Sequence, residues 1–301
     1  MTTTPQAALA DLLALAGLPA AEATLTGTDP IQPSTYAVGT AASASIAASA
    51  LAAAAIHRAR GGPAQTVSVD MPHALSEFHS ERHMSVPGFE SHEWDPIAGL
   101  YRCGDGRWIR LHTNHEHHRD VVLRVLGCAY AREAVAAALQ SWEAEAAETA
   151  IYAAGGVATM TRSLAEWQAH PHGIALADQP PLLIERIGDA PPTPLPPLAA
   201  RPLAGLRVLD LTKVIAGPVA GRTLAAHGAD VLHVTAPHLP TLPALSMDTG
   251  RGKRCTSLDL RDPAQRETLR GLAAGADVFL QGYRAGGIGA HGFAPEALAA
   301  L

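Results

Sequence analysis

Three loops combine glycine with basic residues in a way that could bind a phosphate-bearing ligand. They span residues 212–218 (TKVIAGP), 250–254 (GRGKR) and 281–287 (QGYRAGG). The chain contains two lysines, Lys213 and Lys253, against twenty arginines, and each lysine lies in one of these loops. Glycines let the backbone approach a ligand closely, and N–H groups at a strand-to-helix turn attract anions. We therefore expect a phosphate site here, with ordinary solvated loop charges as the alternative.

The first loop differs from the fingerprint of dinucleotide-binding proteins. That fingerprint needs Gly-x-Gly-x-x-Gly, and the chain has Ala-Gly-Pro-Val-Ala-Gly at 216–221. Ala216 and Pro218 occupy the first two glycine positions, so the sequence argues against a nicotinamide or flavin site. An ordinary strand-to-helix turn is the alternative interpretation of this loop.

Histidines are the other residues whose spacing invites a chemical interpretation. Neutral imidazoles at these spacings could bind zinc, and they lie at His79, His83, His112, His115, His117 and His118. No cysteine or carboxylate completes a recognisable ligand pattern, so we expect no metal site. The sequence also lacks a Gly-x-Ser-x-Gly elbow, which leaves hydrolase chemistry without support.

Composition and charge narrow the class of protein further. The 301 residues are 48% hydrophobic and 17% charged, which excludes global disorder. The formal net charge of −6 argues against nucleic acid as a partner, because phosphate backbones need a basic face. Three widely spaced cysteines, Cys103, Cys128 and Cys255, fit a reducing cytoplasm better than a disulfide framework.

One apolar segment could be mistaken for a membrane span. Residues 41–60 carry no charge before Arg58, but eleven of the twenty are alanine, and the bulky ones are Ile46, Leu51 and Ile56. A segment of this composition is not hydrophobic enough to favour insertion into a membrane. We expect an internal helix of a soluble protein, and the N-terminus shows no signal-peptide pattern.

The C-terminal third alternates strands and helices. Apolar runs predict strands at 206–211, 229–234, 257–260 and 276–280, with helices at 218–227 and 263–274. This alternation is typical of a parallel, doubly wound α/β sheet.

The first 180 residues have a different pattern, and a proline-rich stretch at 179–203 predicts a linker after them. The pattern predicts helices at 7–18 and 41–60, a strand at 66–71, a His- and Glu-rich loop at 72–95, a hairpin with strands at 99–103 and 107–112, and helices at 116–126, 130–153 and 162–169.

Residues 203–300 resemble the opening section of class III CoA-transferases, which include formyl-CoA transferase, carnitine CoA-transferase and α-methylacyl-CoA racemase. The resemblance is carried by LAGLRVLDLTKVIAGPVAGRTLAAHGADVLHV and by DTGRGKRCTSLDLRDPAQRETLRGLAAGADVFLQGYRAGGIGAHGF. It implies an α/β fold with a Rossmann-like parallel sheet domain, a smaller α+β domain and an interlocked homodimer. The implied function is transfer of CoA between acyl-CoA thioesters and carboxylic acids, with CoA as substrate and no permanently bound cofactor.

Residues 1–200 resemble a later portion of the same family. The segments TAASASIAASALAAAAIHRARGGPAQTVSVDMPHAL and DPIAGLYRCGDGRWIRLH resemble its mid-chain helix and strand and its small-domain hairpin. The chain therefore resembles the back part of one family unit (1–200) followed by the CoA-binding front part of a second (201–301), as in a fused two-copy member. The second unit reaches Leu301 before the segment that would carry its own catalytic aspartate.

The resemblance assigns CoA-binding roles residue by residue. It places CoA contacts at Val214, Ile215 and Ala216. It places the contacts to the nucleotide phosphates at Lys253 and Arg254, and the pantetheine path at Gly282, Tyr283 and Arg284. One departure lies after the second strand, where Thr235-Ala-Pro237 replaces the acidic residue usual in the family.

The nucleophile is the more serious departure. The family's transferases use an aspartate before the mid-chain helix, because a carboxylate can attack a thioester and be regenerated. That position falls at Thr40, and the nearest acid, Asp29, lies eleven residues earlier. A threonine cannot form the acyl anhydride, so the first unit looks degenerate and no catalytic nucleophile is identified. The alternatives are a racemase of the α-methylacyl-CoA kind, working through a His and an Asp, and a degenerate CoA-binding subunit paired with an active homologue.

Overall fold

A computed structural model describes residues 3–89 and 94–301. The chain divides into two compact units, one made of residues 1–87 and 180–301 and the other of residues 88–179. We call them the large unit and the small unit. This division by compactness is distinct from the two family units predicted at 1–200 and 201–301, and that correspondence stays a prediction.

The N-terminal part of the large unit packs short strands and helices around one long helix. Its elements are α1 (Pro5–Leu15), β1 (Thr24–Thr26), α2 (Val38–Ala59), β2 (Ser68–Asp70), α3 (Met71–Phe78) and α4 (Ser80–His83). Strands β1 and β2 pair in parallel.

Helices α3 and α4 replace the first half of the loop that the sequence predicts at 72–95. Asp70 caps α3 by accepting a hydrogen bond from the His73 N–H, at 3.4 Å, and Pro72 lies in the first turn. Both are helix-start signals that the density of histidine and glutamate obscured. Residues 90–93 of the predicted loop lie outside the described residues.

Helix α2 confirms the predicted helix at 41–60. Among residues 3–89 and 94–301, it is the single helix long and apolar enough to cross a membrane. Ala42, Ala44 and Ala47 are fully buried on it, in a cluster that includes Leu9 of α1 and Leu75 of α3. The small alanine side chains let the three helices pack closely, as in the core of a folded domain.

The small unit is an antiparallel sheet covered by helices. Its elements are β3 (Gly99–Arg102), β4 (Trp108–Leu111), α5 (Glu116–Leu126), α6 (Arg132–Leu139), α7 (Ala144–Ala153), β5 (Ala158–Met160), α8 (Leu164–Ala169) and α9 (Pro171–Leu176). The strand order is β3-β4-β5. The predicted hairpin and the predicted stop of α5 at Gly127, which has a left-handed φ of 63°, are both confirmed.

The helix predicted at 130–153 is wrong in one respect, because the chain breaks between α6 and α7. The break lets the Trp142 carbonyl accept a hydrogen bond from the Gly104 N–H, at 2.9 Å. The Asp105 carboxylate then accepts from the Ala144 N–H at the start of α7, at 3.0 Å. Contacts with the distant hairpin outweigh the continuous helical pattern of the segment.

The C-terminal part of the large unit is the predicted parallel α/β sheet. Its elements are β6 (Arg207–Leu211), α10 (Ala216–Ala226), β7 (Asp230–Thr235), α11 (Pro243–Thr249), β8 (Arg254–Ser257), α12 (Pro263–Ala274), β9 (Val278–Gln281), a 3-10 turn (Gly289–His291) and α13 (Pro295–Leu298).

The four strands are all parallel and lie in the order β8-β7-β6-β9. Alternate residues of β6 face opposite sides: Val208 packs with Ala225 of α10, and Leu209 packs with Leu269 of α12. Both faces of the sheet are therefore covered, as expected for parallel strands.

Strand β8 lies three residues earlier than the strand predicted at 257–260. It pairs with β7 from Arg254 to Ser257. Leu258 and Leu260, whose alternation suggested the strand, instead pack against the apolar cluster beside α12. The alternation of these leucines indicates that their side chains are buried, and residues of a loop can be buried as well as those of a strand.

Candidate functional site

The candidate site lies at the carboxyl ends of β6 and β9. These strands are neighbours, with Leu211 paired to Gln281, and the loops at 212–215 and 282–287 leave the sheet side by side. Strand order reverses here, because β7 and β8 continue on one side of β6 and β9 lies on the other. In open parallel sheets, ligands bind at such a switch point.

The loop after β6 carries a strained residue. Val214 has a φ of 73°, a left-handed conformation that a β-branched residue rarely adopts. Val214, Ile215 and Ala216, the predicted CoA contacts, are all exposed. Such strain persists only where the surroundings impose it, and it concentrates at ligand-binding loops.

Lys213 supports this loop from the adjoining chain. Its ammonium group donates a hydrogen bond to the Pro240 carbonyl. Burial lowers the pKa of Lys213. The lysine therefore ties the loop after β6 to the connection between β7 and β8.

The N-terminus of α10 faces this loop with its backbone N–H groups open. Within the part of the chain that the structure describes, no side chain caps this helix. Pro218 has no N–H, so the first-turn donors are those of Ala216 and Gly217. The helix dipole adds partial positive charge at the same point, and the arrangement suits an anion such as phosphate.

The loops after β6 and β9 meet at Thr212. A Cβ atom added to Gly282 would lie 3.8 Å from the Thr212 side chain, and one added to Gly217 would overlap it. Thr212 is buried, and its N–H donates to the Asp210 carboxylate at 3.0 Å. The structure thus brings the predicted residues at 214–216 and 282–283 to one edge.

Lys253 is buried beneath the first turns of α10. Its Nζ lies 2.8 Å from the Asp210 carboxylate, with side-chain exposures of 1% and 0%. The same ammonium donates to the Pro218 carbonyl at 2.8 Å, and a Cβ at Gly221 would overlap the Asp210 carboxylate. The predicted phosphate contact of Lys253 stays a prediction, but this buried ion pair speaks for a structural role.

Arg254 lies toward the opposite edge of the sheet. It starts β8, and its Nε is 3.1 Å from the Asp230 carboxylate at the start of β7. Arg254, Asp230 and Arg207 line a small cavity of about 180 Å³ at the amino ends of the strands. Loop 250–254 precedes its strand, whereas the other two loops follow theirs, and it reaches the start of α10 through Lys253.

A cavity of about 210 Å³ opens at the carboxyl edge. Its apolar walls include Leu211, Val234 and Leu258, and Tyr283 lines it from the loop after β9. Burial raises the pKa of Tyr283. The cavity is the right kind of space for the ring system of a nucleotide-type ligand.

Polar residues that the sequence reasoning missed also line this cavity: His238, Arg261 and His291. Arg261 pairs with Asp259, with Nη2 and Oδ2 at 2.6 Å, and hydrogen bonds from Arg261 hold the pKa of Asp259 well below its usual range. His238 Nδ1 lies 3.7 Å from the same carboxylate. His238 and Arg261 each follow a strand by three or four residues, which is the signal that could have identified them.

The predicted nucleophile position, Thr40, lies in the first turn of α2. Thr40 is buried, and its N–H donates to the Asp29 carboxylate at 2.7 Å; the Gly39 N–H donates to the other oxygen at 3.0 Å. Asp29, eleven residues earlier in sequence, is therefore adjacent in space. Burial raises the pKa of Asp29, but the hydrogen bonds from Thr40 and Gly39 outweigh it and lower the pKa overall.

The histidine-rich stretch lies at the start of α5 in the small unit. The rings of His115, His117 and His118 have centroid separations between 4.1 and 5.6 Å. Burial, reinforced by the charge of Arg110, lowers the pKa of His112. Over residues 3–89 and 94–301, no three His, Cys, Asp or Glu side chains are arranged to hold a metal ion.

Parts of this chain are similar in sequence to known proteins. An acyl-CoA transferase of Gibberella moniliformis is 32% identical over 217 residues, which is 66% of this chain and 38% of that protein. The human succinyl-CoA:glutarate CoA-transferase is 32% identical over 108 residues, 32% of this chain and 25% of its own. A crystal structure of Rv3272 from Mycobacterium tuberculosis aligns at 36% identity with 34% of this chain and 30% of its own, with a TM-score of 0.31.

The chain spans well under half the length of these curated relatives. The family model described as CoA-transferase family III matches residues 9–178 and 203–301, and the unmatched residues between them fall in the proline-rich stretch. Because the match covers most of the sequence, the chain belongs to CoA-transferase family III.

Proposed function

We propose that the chain binds acyl-CoA at the carboxyl edge of the parallel sheet and takes part in CoA transfer between acyl-CoA thioesters and carboxylic acids. The observation that carries this proposal is the open N-terminus of α10, which adjoins the strained loop after β6 at the switch point of the sheet. Family membership supplies the ligand class that such an anion site would serve.

The proposed contacts follow from the positions of the two loops. Phosphate oxygens of CoA accept from the N–H groups at 216 and 217, while Val214 and Ile215 contact the ligand through their exposed side chains. Gly282 leaves room for the pantetheine arm beside Tyr283, and Arg284, which is exposed, adds positive charge.

The adenosine end has a separate location in this proposal. The apolar cavity beside Tyr283 takes the base, and Arg261 and His238 at its rim approach the phosphate on the ribose. Arg261 is partly neutralised by Asp259, so the net attraction there is weaker than at a free arginine.

A second candidate is a CoA-binding subunit without transferase activity of its own. The observation that favours it is the buried threonine at position 40, where acyl transfer by a double displacement would need a carboxylate. In the transferase interpretation, a carboxylate oxygen attacks the thioester carbon, the C–S bond breaks and CoA leaves as the thiolate. Because position 40 is a threonine, the carboxylate that makes this attack would have to come from elsewhere in the protein assembly.

Two exposed arginines of the predicted site provide a test of binding. Arg284 lies in the loop after β9, at the carboxyl edge of the sheet, whereas Arg254 lies toward the amino edge. We expect Arg284→Met to weaken CoA binding at least threefold in isothermal titration calorimetry and Arg254→Met to leave the affinity unchanged. The reverse pattern would move the phosphate site to the amino edge, and no binding by the unmodified protein would remove the proposal.

Product analysis separates the two candidates. The protein is incubated with succinyl-CoA and a panel of carboxylic acids, and new CoA thioesters are identified by mass spectrometry. New thioesters establish transfer. CoA binding without new thioesters favours the binding subunit.

We further propose a cytoplasmic homodimer, acting on acyl-CoA and carboxylate substrates, with neither nucleic acid nor membrane as a partner. The thiols of Cys103, Cys128 and Cys255 are all free, which suits a reducing compartment. Light scattering coupled to size exclusion tests the dimer, since a mass near 31.2 kDa would contradict it.

A further inference from the structure

Two segments that are far apart in sequence build the large unit. Residues 1–87 and residues 203–301 belong to the same compact unit, although the whole small unit and the proline-rich stretch separate them in the chain. The family match is interrupted at the same stretch, between residues 178 and 203. The contacts between the two segments are therefore tertiary contacts between parts of the chain that are far apart in sequence.

A buried arginine is the centre of this interface. Arg222, on α10, has a side-chain exposure of 8%. Its guanidinium donates to the Asp248 carboxylate at 2.7 Å and to the Ser80 hydroxyl at 3.0 Å, and it forms an ion pair with Glu77. Ser80 in turn donates to Asp248 at 2.7 Å. Three elements, α3, α4 and α11, thus converge on one side chain.

Charge at this interface balances only when both segments are present. The C-terminal segment supplies Arg222, Arg251 and Asp248, with Arg251 2.8 Å from Asp248, and so carries one excess positive charge. Glu77 of the N-terminal segment supplies the compensating negative charge. A buried arginine without its full set of partners is costly, so each segment is specific for the other.

A second contact joins the end of α2 to the start of the C-terminal segment. Arg60 donates to the carbonyl of Pro202 at 2.6 Å and to the carbonyl of Pro197. Ile56, one turn earlier, packs against the apolar cluster that contains Leu203 and Val208. The interface therefore has an apolar part beside the charged one.

The linker between Pro180 and Pro196 contributes little to this association. The side-chain hydrogen bonds in this stretch are local: Arg186 donates to the Gly188 carbonyl and to the Asp189 carboxylate. Its exposed large apolar residues range from 40% exposure at Leu182 to 67% at Ile184. Recognition therefore resides in the folded segments.

We infer that residues 1–87 and 197–301 are complementary pieces of one domain, which recognise each other through the Arg222 cluster and the Arg60 contact and need no covalent link. The surface formed by α10 and α11 binds the N-terminal segment, which presents Glu77 and Ser80 to it. This inference rests on the contacts alone and is independent of CoA binding.

Cleavage of the linker in the whole protein tests the inference. A protease recognition sequence is inserted after Ala190, the full chain is purified and cleaved, and the products are run on size exclusion without denaturant. We expect the two pieces to co-elute at the volume of the uncut protein at micromolar concentration. Elution as two separate species would overturn the inference.

Variants test the role of Arg222 in the cleaved protein. Arg222→Met should weaken the association of the pieces at least tenfold, and Glu77→Gln, on the opposite segment, should weaken it about threefold. Arg270→Met, which removes a half-buried arginine paired with Glu267 in the same C-terminal segment, should have no effect.

Circular dichroism of each uncut variant establishes folding before cleavage. Because the Glu77 side chain is 51% exposed, Glu77→Gln should keep the fold even if Arg222→Met does not. The proposed recognition would be contradicted if Glu77→Gln left the association of the two pieces unchanged and a folded Arg222→Met variant did the same.

Discussion

Two helix N-termini in the large unit are completed in opposite ways. At α2, the N-cap residue Ala37 supplies no side-chain hydrogen bond, but the Asp29 carboxylate accepts from the N–H groups of Gly39 and Thr40. At α10, the structure places no carboxylate against the corresponding groups in the described residues. The first helix end is filled by the protein itself, and the second keeps its backbone N–H groups open.

The difference shows that the position of an acid in sequence is a poor guide to its position in space. The family resemblance directs attention to residue 40, where the chain has a threonine. A carboxylate still lies at that helix end, contributed by Asp29 from the connection before α2. There it accepts two backbone hydrogen bonds, so it acts as a cap.

Removal of the buried ion pair beneath α10 should have the largest effect. Lys253→Met would leave the buried Asp210 carboxylate without its counter-ion and release the Pro218 carbonyl in the first turn of α10. We expect the free energy of unfolding to fall by about 3–5 kcal/mol, measured by urea denaturation.

The exposed Arg254→Met serves as the matched control and should cost less than about 1 kcal/mol. If Lys253→Met kept full stability but lost CoA affinity, Lys253 would be a phosphate ligand after all. A double variant, Asp210→Asn with Lys253→Met, should recover part of the lost stability because it removes the unpaired charge.

The second prediction gives α10 a carboxylate of its own, as α2 has. Ile215→Asp should lower CoA affinity at least tenfold, equivalent to about 1.4 kcal/mol, because the new charge competes with phosphate at the helix end. The same charge should stabilise the helix by roughly 0.5 kcal/mol.

Titration calorimetry with CoA and urea denaturation measure the two effects. Ile215→Asn, of similar size but neutral, should lose much less affinity than Ile215→Asp. Equal affinities of Ile215→Asp and the unmodified protein would show that CoA does not use this helix end.

The third prediction empties the filled helix end. Asp29→Ala removes the cap from α2 and should lower the free energy of unfolding by about 1 kcal/mol at pH 7. The sign of its pH dependence follows from the pKa of Asp29, which is lower in the folded chain than in the unfolded chain.

A lowered pKa means that the stabilisation by Asp29 is complete above the unfolded pKa near 4 and is lost as the pH falls through the folded value. The difference between Asp29→Ala and the unmodified protein should therefore shrink when urea denaturation is repeated toward pH 3. A difference that grows on acidification would contradict the observed hydrogen bonding.

The smallest effect is expected at the strained loop beside α10. Val214→Gly relieves the left-handed backbone conformation but increases the freedom of the unfolded chain, for a net stabilisation of about 0.5 kcal/mol. Thermal unfolding should show a small rise in Tm, while CoA affinity should fall slightly because the loop is less ordered. A lower Tm would show that the Val214 side chain contributes more than its strain costs.

Local features of the chain were predictable because neighbouring residues determine them. The hairpin around Gly104-Asp105-Gly106, the stop at Gly127 and the alternation that produces the parallel sheet all appear where the sequence places them. Each depends on the preferences of a few consecutive residues, on the period of their apolar side chains, or on both.

Features that depend on distant partners were not predictable in the same way. The break between α6 and α7 requires the hairpin, and the shift of β8 requires the neighbouring strand β7. The candidate site residues divide along the same line: the exposed loop at 214–216 follows β6 directly in the chain, whereas only the tertiary structure shows that Lys253 pairs with Asp210.

The sequence by itself therefore determined the α/β class, the strand-to-helix loops and the residues that each loop contains. Tertiary structure alone decided which side chain meets which: Lys253 pairs with Asp210 across 43 residues, and Asp29 caps a helix that starts nine residues later. The physical reason is that a charge or a hydrogen-bonding group takes its role from the partners within a few ångströms, and the fold chooses those partners.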